Sequence, residues 1–194
     1  MAKESLFNIL NNHYYFDSIS VIDLFAGTGN ISYEFASRGT KEIYAIDAHF
    51  NCTKYIANTS KELDLNINSY KNDVYKFLEK TPLQVDVIFA DPPYDFETEQ
   101  FLKIVDLVFT RELLNDEGVL VIEHSKHTDL SKHEKHCYDK RYGGNVFSFF
   151  ENYGDLEQNL RNFYRLFAKF EKKNRIAKIK NVPIPDLRIS RQEF

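Results

Sequence analysis

The stretch from Ser20 to Asn30, SVIDLFAGTGN, decides the fold of this chain. Its first half is a short apolar run with β-branched residues, which is typical of a buried strand. Gly27 and Gly29 then make a turn, and the residues after them are spaced as in a helix that ends at Gly39. A buried strand that turns through a glycine loop into a helix is the usual first unit of a doubly wound α/β sheet.

The same rhythm of strand and helix recurs along the chain. Further strands are predicted at 42–46, 67–70, 85–90 and 118–123, and helices at 51–63, 74–78 and 97–114. Strands of nearly continuous apolar character that alternate with helices predict a mostly parallel sheet with both faces covered.

The segment from Glu134 to Phe150 departs from that rhythm. It contains two extended runs joined by Tyr142-Gly143-Gly144, which predicts an antiparallel hairpin at one edge of the sheet. Apolar residues recur at helical spacing after Leu160, so we expect an extra C-terminal helix that ends before Pro183. The predicted organisation is an α/β domain over residues 1–153 and a basic amphipathic helical extension over residues 154–194.

The composition excludes several classes of protein. The 194 residues are 43% hydrophobic and 15% aromatic, which is enough to bury one sizeable core, so a disordered chain is not the default interpretation. Two cysteines, Cys52 and Cys137, are too few for a disulfide scaffold and fit a reducing compartment. The start has no apolar run of a signal peptide, and no window approaches a membrane span. We expect a cytoplasmic protein without membrane contact.

The charge is distributed unevenly. The formal net charge is −4, but residues 160–194 contain ten Lys and Arg against three Asp and Glu, a local charge of +7. Residues 1–159 therefore carry −11. The chain as a whole lacks the basic surplus typical of nucleic-acid binding, and only its tail has one.

Acidic side chains follow three successive predicted strands. Asp23 lies at the end of the first strand, Asp47 ends the second, and Asn72-Asp73 follows the third. Taken singly, each acid is as readily an N-cap or a solvated loop residue. Together they indicate a ligand with three parts: a positively charged group beside Asp23, a ribose whose hydroxyls donate hydrogen bonds to Asp47, and an adenine amino group facing Asn72-Asp73. We expect the ligand to be S-adenosylmethionine.

The glycine loop argues against a dinucleotide. It consists of Ala26, Gly27, Thr28, Gly29 and Asn30. The third glycine of a dinucleotide fingerprint is replaced by Ser32, and a pyrophosphate prefers bare helix N–H groups and cations to the carboxylate of Asp23. The glycines allow the backbone to approach a ligand where a Cβ would clash. Phe25 and Ala48 flank the predicted adenosine, where plain packing is the favoured interpretation.

The fourth predicted strand ends in Asp91-Pro92-Pro93-Tyr94. Two prolines make a stiff turn, which holds carbonyls and a ring in fixed positions. Such a turn suits methylation of an exocyclic amine on a nucleobase: Asp91 and the Pro92 carbonyl accept the amine hydrogens, and Tyr94 stacks on the base. The plainer interpretation is a structural stop after a buried strand.

Five segments resemble one family, the RsmD-like bacterial 16S ribosomal RNA guanine-N2 methyltransferases. They are VIDLFAGTGN (21–30), YAID (44–47), KNDV (71–74), FADPPY (89–94) and GVLVIEHS (118–125). The similarity extends from Ala2 to Phe150, and FAGTGN together with the start AKESLFNIL favours this group over the DNA adenine methyltransferases. The resemblance implies a seven-stranded, Rossmann-like class I fold, S-adenosylmethionine as donor, and a guanine amino group in small-subunit RNA as acceptor. The implied partner is 16S rRNA or the assembling small subunit, and we expect a monomer.

The chain differs from that family at both ends. Family members normally carry a basic, Arg-rich β segment and an Arg-Pro-Thr-Thr-Asp stretch before the helix that begins here at Ala2. We expect Met1 to correspond to an internal position of a longer protein. The basic tail after Tyr153 is favoured as an amphipathic helix docked on the body, and the alternative is that it replaces the missing RNA-binding segment.

A zinc site and two other functions remain as alternatives. His124, His127, His133, His136 and Cys137 match no common zinc finger, so solvated histidines and no metal are expected. Glu123 and His124 lie near the predicted cleft without a defined role. An N6-adenine methyltransferase acting on DNA or RNA would use the same turn, and a truncated chain could bind S-adenosylmethionine without turnover.

Overall fold

The structure, a computed structural model, describes residues 2–152 of the chain. The helices are α1 (Ala2–Asn11), α2 (Asn30–Ser37), α3 (Phe50–Glu62), α4 (Val74–Lys80) and α5 (Thr98–Thr110). The strands are β1 (Ser20–Leu24), β2 (Glu42–Asp47), β3 (Ile67–Lys71), β4 (Val85–Ala90), β5 (Leu114–Ser125), β6 (His136–Tyr142) and β7 (Asn145–Glu151). A short 3-10 turn at Phe16–Ser18 precedes β1.

The seven strands form one mixed sheet in the order β3-β2-β1-β4-β5-β7-β6. Strands β1 to β5 pair in parallel, and β7 joins β5 and β6 in antiparallel fashion. The predicted doubly wound, seven-stranded, mostly parallel sheet with an antiparallel hairpin is therefore confirmed. The predicted C-terminal helix lies outside the described residues, and the division into domains at residue 153 stays a prediction.

Strand order reverses between β1 and β4, because β2 continues the sheet on one side of β1 while β4 starts the other. In open α/β sheets ligands bind beyond the carboxyl ends of the strands at this reversal. The ends of β1 and β4 carry the glycine loop and the Asp-Pro-Pro-Tyr turn respectively. The topology therefore places both predicted motifs at one edge of the sheet.

The two faces of β1 are covered by different helices. Ile22 and Leu24 belong to a buried cluster that includes residues of α4 and α5, such as Phe77 and Ile104. Asp23 points to the opposite face, since side chains alternate along a strand, and there it bonds to Ser32 of α2. Covering on both faces explains why all five residues of β1 are buried.

A cluster of aromatic rings attaches the first helix to the sheet domain. Phe7 of α1 packs edge-on against Phe35 of α2, with ring centroids 4.7 Å apart, and both rings contact Phe16 in the 3-10 turn. The Arg38 guanidinium lies over the Phe7 ring at 4.8 Å. The helix that begins at Ala2 is therefore part of the packed domain.

The boundary between α5 and β5 differs from the predicted one. The sequence places Leu114 in a helix and starts the strand at Gly118, whereas α5 ends at Thr110 and β5 begins at Leu114. Glu112 has a φ of 53°, in the left-handed region, and so breaks the helix. Leu114 then pairs with Val85 of β4. The apolar pattern of this segment fits a helix and a strand equally well, and pairing with β4 makes it a strand.

The predicted solvated histidines are wrong at two positions. His124 of β5 and His136 of β6 are buried, 6% and 5% exposed. His124 Nε2 lies 2.7 Å from Ser148 Oγ, Ser148 donates to Asp139 Oδ1 at 2.7 Å, and His136 Nε2 lies 2.7 Å from that same oxygen. These four side chains form a polar network across β5, β7 and β6.

No helix within residues 2–152 is both long and apolar enough to span a membrane.

Candidate active site

The site residues stand in a row across the carboxyl ends of four strands. Leu24 pairs with Ala90, and Ala90 pairs with Ile122, so Asp91 and Glu123 follow at the same level on β4 and β5. On the other side of β1, Asp47 ends β2. Parallel strands bring residues 47, 91 and 123 together although the chain separates them widely.

The glycine loop is held in left-handed backbone conformations. Phe25, Gly27 and Gly29 have φ values of 58°, 54° and 87°. Positive φ is costly for a bulky residue such as Phe25, and backbone strain of this kind is concentrated at functional sites. The Phe25 ring packs edge-on against Phe96, 5.6 Å between centroids, which confirms its assignment to packing and leaves its contact with a ligand a prediction.

The two glycines are required for different reasons. A Cβ on Gly29 would lie 2.9 Å from Ile56 Cγ1 and 3.0 Å from Tyr33 Cζ, so the protein itself excludes a side chain there. A Cβ on Gly27 would meet nothing closer than the Phe25 carbonyl oxygen at 4.0 Å. The space beside Gly27 is therefore open to a ligand, and packing within the protein already requires glycine at position 29, where contact with a ligand stays a prediction.

The remaining loop residues form the rim of the site. The Ala26 N–H donates to the Ile46 carbonyl at 3.0 Å, which ties the loop to β2, and Thr28 is exposed. Asn30, the first residue of α2, accepts a bond from the Lys3 ammonium at 3.0 Å. This last contact places the amino-terminal helix beside the loop.

Asp23 is a buried carboxylate. It is 1% exposed, and its Oδ2 accepts bonds from the Ser32 N–H at 3.0 Å and the Ser32 hydroxyl at 2.6 Å. Burial raises the pKa of Asp23 to about 7, the nearby Asp91 and Asp47 contribute to the rise, and the bonds from Ser32 oppose it. Ser32, which replaces the third glycine of a dinucleotide fingerprint, thus donates two hydrogen bonds to Asp23, a role that was not predicted from the sequence.

Asp47 ties the loop to the second strand. Its Oδ2 accepts from the Gly27 N–H and its Oδ1 from the His49 N–H, both at 2.8 Å. Each carboxylate oxygen has a second lone pair, so acceptance of ribose hydroxyls stays a prediction that these contacts allow. The structural role of Asp47 adds to the predicted one.

The residues predicted beside the adenine differ in their burial and contacts. Asn72 is half-buried, and its N–H donates to the Asp47 carbonyl at 3.0 Å. Asp73 caps α4, with Oδ1 accepting from the Lys76 N–H at 3.0 Å, so the N-cap interpretation holds for this acid. Ala48 is exposed, and the packing interpretation is wrong at this position.

The Asp-Pro-Pro-Tyr turn projects from the end of β4. Pro92 is buried and the Phe96 N–H donates to the Pro93 carbonyl at 3.1 Å, which fixes the turn. Asp91 is exposed, yet surrounding protein removes enough water to raise the pKa of its carboxyl. The Tyr94 ring is 87% exposed and lies open to an incoming planar group.

Glu123 of β5 is a residue for which sequence analysis predicted no defined role. It is half-buried, and its Oε1 accepts from the Asn145 amide at 2.5 Å. Burial raises the pKa of Glu123, and the charge of Asp91 raises it further, while the bond from Asn145 lowers it. The two carboxylates at the ends of neighbouring strands therefore interact electrostatically.

The electrostatics of this edge suit a cationic ligand. The charges of Asp47 and Asp91 raise the pKa of Asp23, and the charge of Asp91 raises that of Glu123, so negative charge is concentrated at this edge of the sheet. A ligand that brings positive charge relieves this repulsion, whereas a pyrophosphate adds to it. The open space beside Gly27 and the raised pKa of Asp23 fit S-adenosylmethionine, whose sulfonium and amino groups are positively charged.

A Rossmann-like sheet with a glycine loop after β1 and an Asp-Pro-Pro-Tyr turn after β4 defines a methyltransferase. The sequence matches the family described as Conserved hypothetical protein 95 over residues 1–151. The chain belongs to this family and is an RsmD-like methyltransferase.

A sequence relative agrees with that membership, and solved structures share the fold. YlbH of Bacillus subtilis, provisionally named an rRNA methyltransferase, is 34% identical over 135 residues, 66% of this chain and 71% of the relative. HI0767 of Haemophilus influenzae, provisionally described as a methylase, has 22% identity and a TM-score of 0.67, covering 79% of this chain and 97% of that one. Magnesium protoporphyrin IX methyltransferase from Synechocystis, solved with bound SAM, has 12% identity and a TM-score of 0.62 over 76% of each chain.

Proposed function

We propose that this protein transfers a methyl group from S-adenosylmethionine to the exocyclic N2 amine of a guanine in 16S rRNA, the guanine966-N2 type of reaction. The observation that supports this most directly is that two motifs follow the carboxyl ends of the paired strands β1 and β4, where the strand order reverses. The glycine loop follows β1, with Asp47 at the end of β2 beside it, and the Asp-Pro-Pro-Tyr turn follows β4.

The residues of the loop would hold the donor. Asp23 supplies negative charge, the backbone at Gly27 permits close approach, and Asp47 keeps the loop in place while accepting ribose hydroxyls. The other loop residues and Phe25, Ala48, Asn72 and Asp73 are proposed to line the adenosine. The bound donor supplies an activated methyl group on a sulfonium, so no strong base is required.

The turn would hold the acceptor. The nitrogen lone pair of an exocyclic amine is shared with the ring, so the amine must be oriented before it reacts. Asp91 and the Pro92 carbonyl accept its two hydrogens, Pro93 stiffens the turn, and Tyr94 stacks on the base. The N–C bond forms as the C–S bond breaks, the bonding pair stays on sulfur, and the amine proton leaves.

A tritium transfer assay tests this proposal. Purified protein is incubated with tritiated S-adenosylmethionine and, separately, with assembled small subunits, naked 16S RNA and duplex DNA. We expect label in N2-methylguanine of the ribosomal substrates. Label in N6-methyladenine would instead establish the adenine reaction, and donor binding without any transfer would establish a binding protein.

Two substitutions separate the proposed roles. Asp91→Ala removes an acceptor of the amine hydrogens, so turnover should fall by about 100-fold or more while donor affinity stays unchanged. Asp47→Asn weakens the backbone contacts that hold the loop, so donor affinity should fall by about 10-fold. Calorimetry measures the affinity for the donor, and single-turnover transfer measures the rate of methylation. Equal loss of donor affinity in both variants would contradict this division.

A further inference from the structure

We propose that Glu123 determines the choice of base by accepting the N1–H of guanine next to the reacting N2 amine. This inference rests on the proposed function, since it concerns the base held by the Asp-Pro-Pro-Tyr turn. It assigns a specificity-determining role to a side chain on β5, outside the loop and outside the turn.

The position of Glu123 supports this role. Ala90 and Ile122 are paired in the sheet, so Asp91 and Glu123 are the next residues on neighbouring parallel strands. The charge of Asp91 contributes to the raised pKa of Glu123, which agrees with this placement on neighbouring strands. Neighbouring parallel strands lie about 4.8 Å apart, a spacing that lets two carboxylates contact adjacent atoms of one purine ring.

The second support is the way in which the hairpin fixes Glu123. The Asn145 amide at the start of β7 donates to Oε1 at 2.5 Å, which leaves Oε2 as the oxygen available to a ligand. Asn145 and Ser125 are paired across the antiparallel edge, so the hairpin holds this amide beside the end of β5. Glu123 is thus an oriented acceptor at the cleft.

The chemistry of the bases explains why such an acceptor selects guanine. In guanine the N2 amine adjoins N1–H, so two neighbouring donors face two neighbouring carboxylates. In adenine the N6 amine adjoins N1 and N7 on its two sides, and both are acceptors that repel a carboxylate. A site built to hydrogen-bond one donor strongly rejects analogues that lack it, because its buried acceptor then stays unpaired.

The probe is 2-aminopurine, which keeps the N2 amine of guanine but has an unprotonated N1 and no O6. The wild-type protein is first used to map the methylated guanosine. The substrate for this mapping is free RNA or the assembled subunit, whichever accepts label. The same RNA is then prepared with 2-aminopurine at that position. Transfer rates and RNA affinities without donor are measured for both substrates.

The wild-type protein should prefer guanine over 2-aminopurine by about 100-fold or more in kcat/KM. Glu123→Gln keeps the oxygen that accepts from Asn145 and adds an amide donor for the unprotonated N1, so this preference should fall by at least about 10-fold. Asp116→Asn, at the exposed other end of β5, is the matched control and should keep the wild-type preference.

Further readouts separate a change of specificity from a general loss. Asn145→Ala, which releases Oε1, should also weaken the preference, and Glu123→Asp should restore part of it. Donor affinity and thermal unfolding should match those of the wild type in Glu123→Gln. If that variant does not fold, the Asn145→Ala result decides.

The outcomes distinguish the two proposals. Guanine transfer by the wild type with an unchanged base preference in Glu123→Gln would overturn the role of Glu123 and leave the proposed function intact. An absence of guanine transfer by the wild type would overturn the proposed function, and the role of Glu123 with it.

Discussion

At the scale of single residues, the two loop glycines act differently although they look equivalent in the sequence. Both have positive φ, but only Gly29 is packed against neighbouring side chains. The space next to Gly27 is open. The loop therefore combines one position that protects the fold with one that admits a ligand.

Alanine substitutions should separate these effects. Gly29→Ala should lower the free energy of unfolding by about 2–4 kcal/mol, because left-handed strain adds to contacts that are too close. Gly27→Ala should cost only about 1 kcal/mol but lower the affinity for S-adenosylmethionine by at least about 10-fold. Urea denaturation and calorimetry measure the two quantities. Wild-type donor affinity in Gly27→Ala would show that the ligand lies elsewhere.

Asp23 makes a second prediction at this scale, concerning pH. Its folded pKa of about 7 exceeds the ordinary value of 3.8, so the folded protein binds the proton more tightly than the unfolded chain. The free energy of unfolding is therefore higher at low pH, where the Asp23 carboxyl is protonated, than at high pH, where it is ionised. This contribution is lost as pH rises from about 4 to about 7. A cationic donor requires the ionised form, so donor affinity should fall as pH drops below about 7.

Asp23→Asn tests both consequences. The amide oxygen still accepts from Ser32, so the variant should fold and should be more stable than the wild type at pH 8, with a smaller difference towards pH 4. Its donor affinity should be about 10-fold or more lower and should vary less with pH. Asp116→Asn, at an exposed position of β5, is the control. Parallel pH profiles of the wild type and Asp23→Asn would contradict the raised pKa.

At the scale of secondary-structure elements, the hairpin β6–β7 is attached to β5 by buried polar contacts as well as by apolar packing. Ser148 has one hydroxyl proton and lies 2.7 Å from both Asp139 and His124. When the hydroxyl donates to the carboxylate, its oxygen can accept from His124 Nε2, and His124 Nδ1 lies 2.9 Å from the Ser125 carbonyl oxygen. An imidazole that donates from both nitrogens is positively charged, and burial opposes this charge by lowering the pKa of His124.

Removal of the central hydroxyl should be costly. Ser148→Ala deprives the partly exposed Asp139 carboxylate of a donor and the buried His124 Nε2 of its partner, so the free energy of unfolding should fall by about 2–3 kcal/mol. Ser131→Ala also removes a hydroxyl bonded to an aspartate, but at an exposed position, and should cost less than about 0.5 kcal/mol. Thermal and urea unfolding compare the two. Equal costs would show that the network adds no stability.

The sequence predicted most elements of this fold because each carries a local signal. The apolar run before Gly27 and the stop at Pro92-Pro93 mark strand ends without knowledge of any partner. Leu114 and Glu123 carried no such signal. The strand assignment of Leu114 depends on Val85, and the surroundings of Glu123 depend on Asp91 and Asn145, contacts that only the sheet order creates.

At the scale of the whole molecule, the charges of the chain are separated. Residues 1–159 carry −11, and four carboxylates are grouped at the carboxyl ends of the strands, whereas residues 160–194 carry +7. An acidic cleft repels a phosphate backbone, so we infer that the base enters it alone and that phosphates are bound elsewhere. The basic tail is the candidate for that contact.

Deletion of residues 160–194 tests this inference. RNA affinity is measured for the full chain and the truncated chain over a range of salt concentrations. If the tail binds phosphates, truncation should make the dependence of log affinity on log salt less steep, by about 0.7–0.9 for each phosphate that the tail neutralises. Donor affinity should not change. An unchanged salt slope would contradict phosphate binding by the tail and leave packing on the body, the interpretation favoured from the sequence.

The exposed ring of Tyr94 has a practical consequence, because the sequence contains no Trp and Tyr94 is 87% exposed. An indole introduced at this position would be the sole Trp fluorophore of the protein, and it would stand in water at the mouth of the cleft. A base that stacks on it would quench its emission. The arrival of the base could then be timed in a stopped-flow instrument, separately from the chemistry that follows.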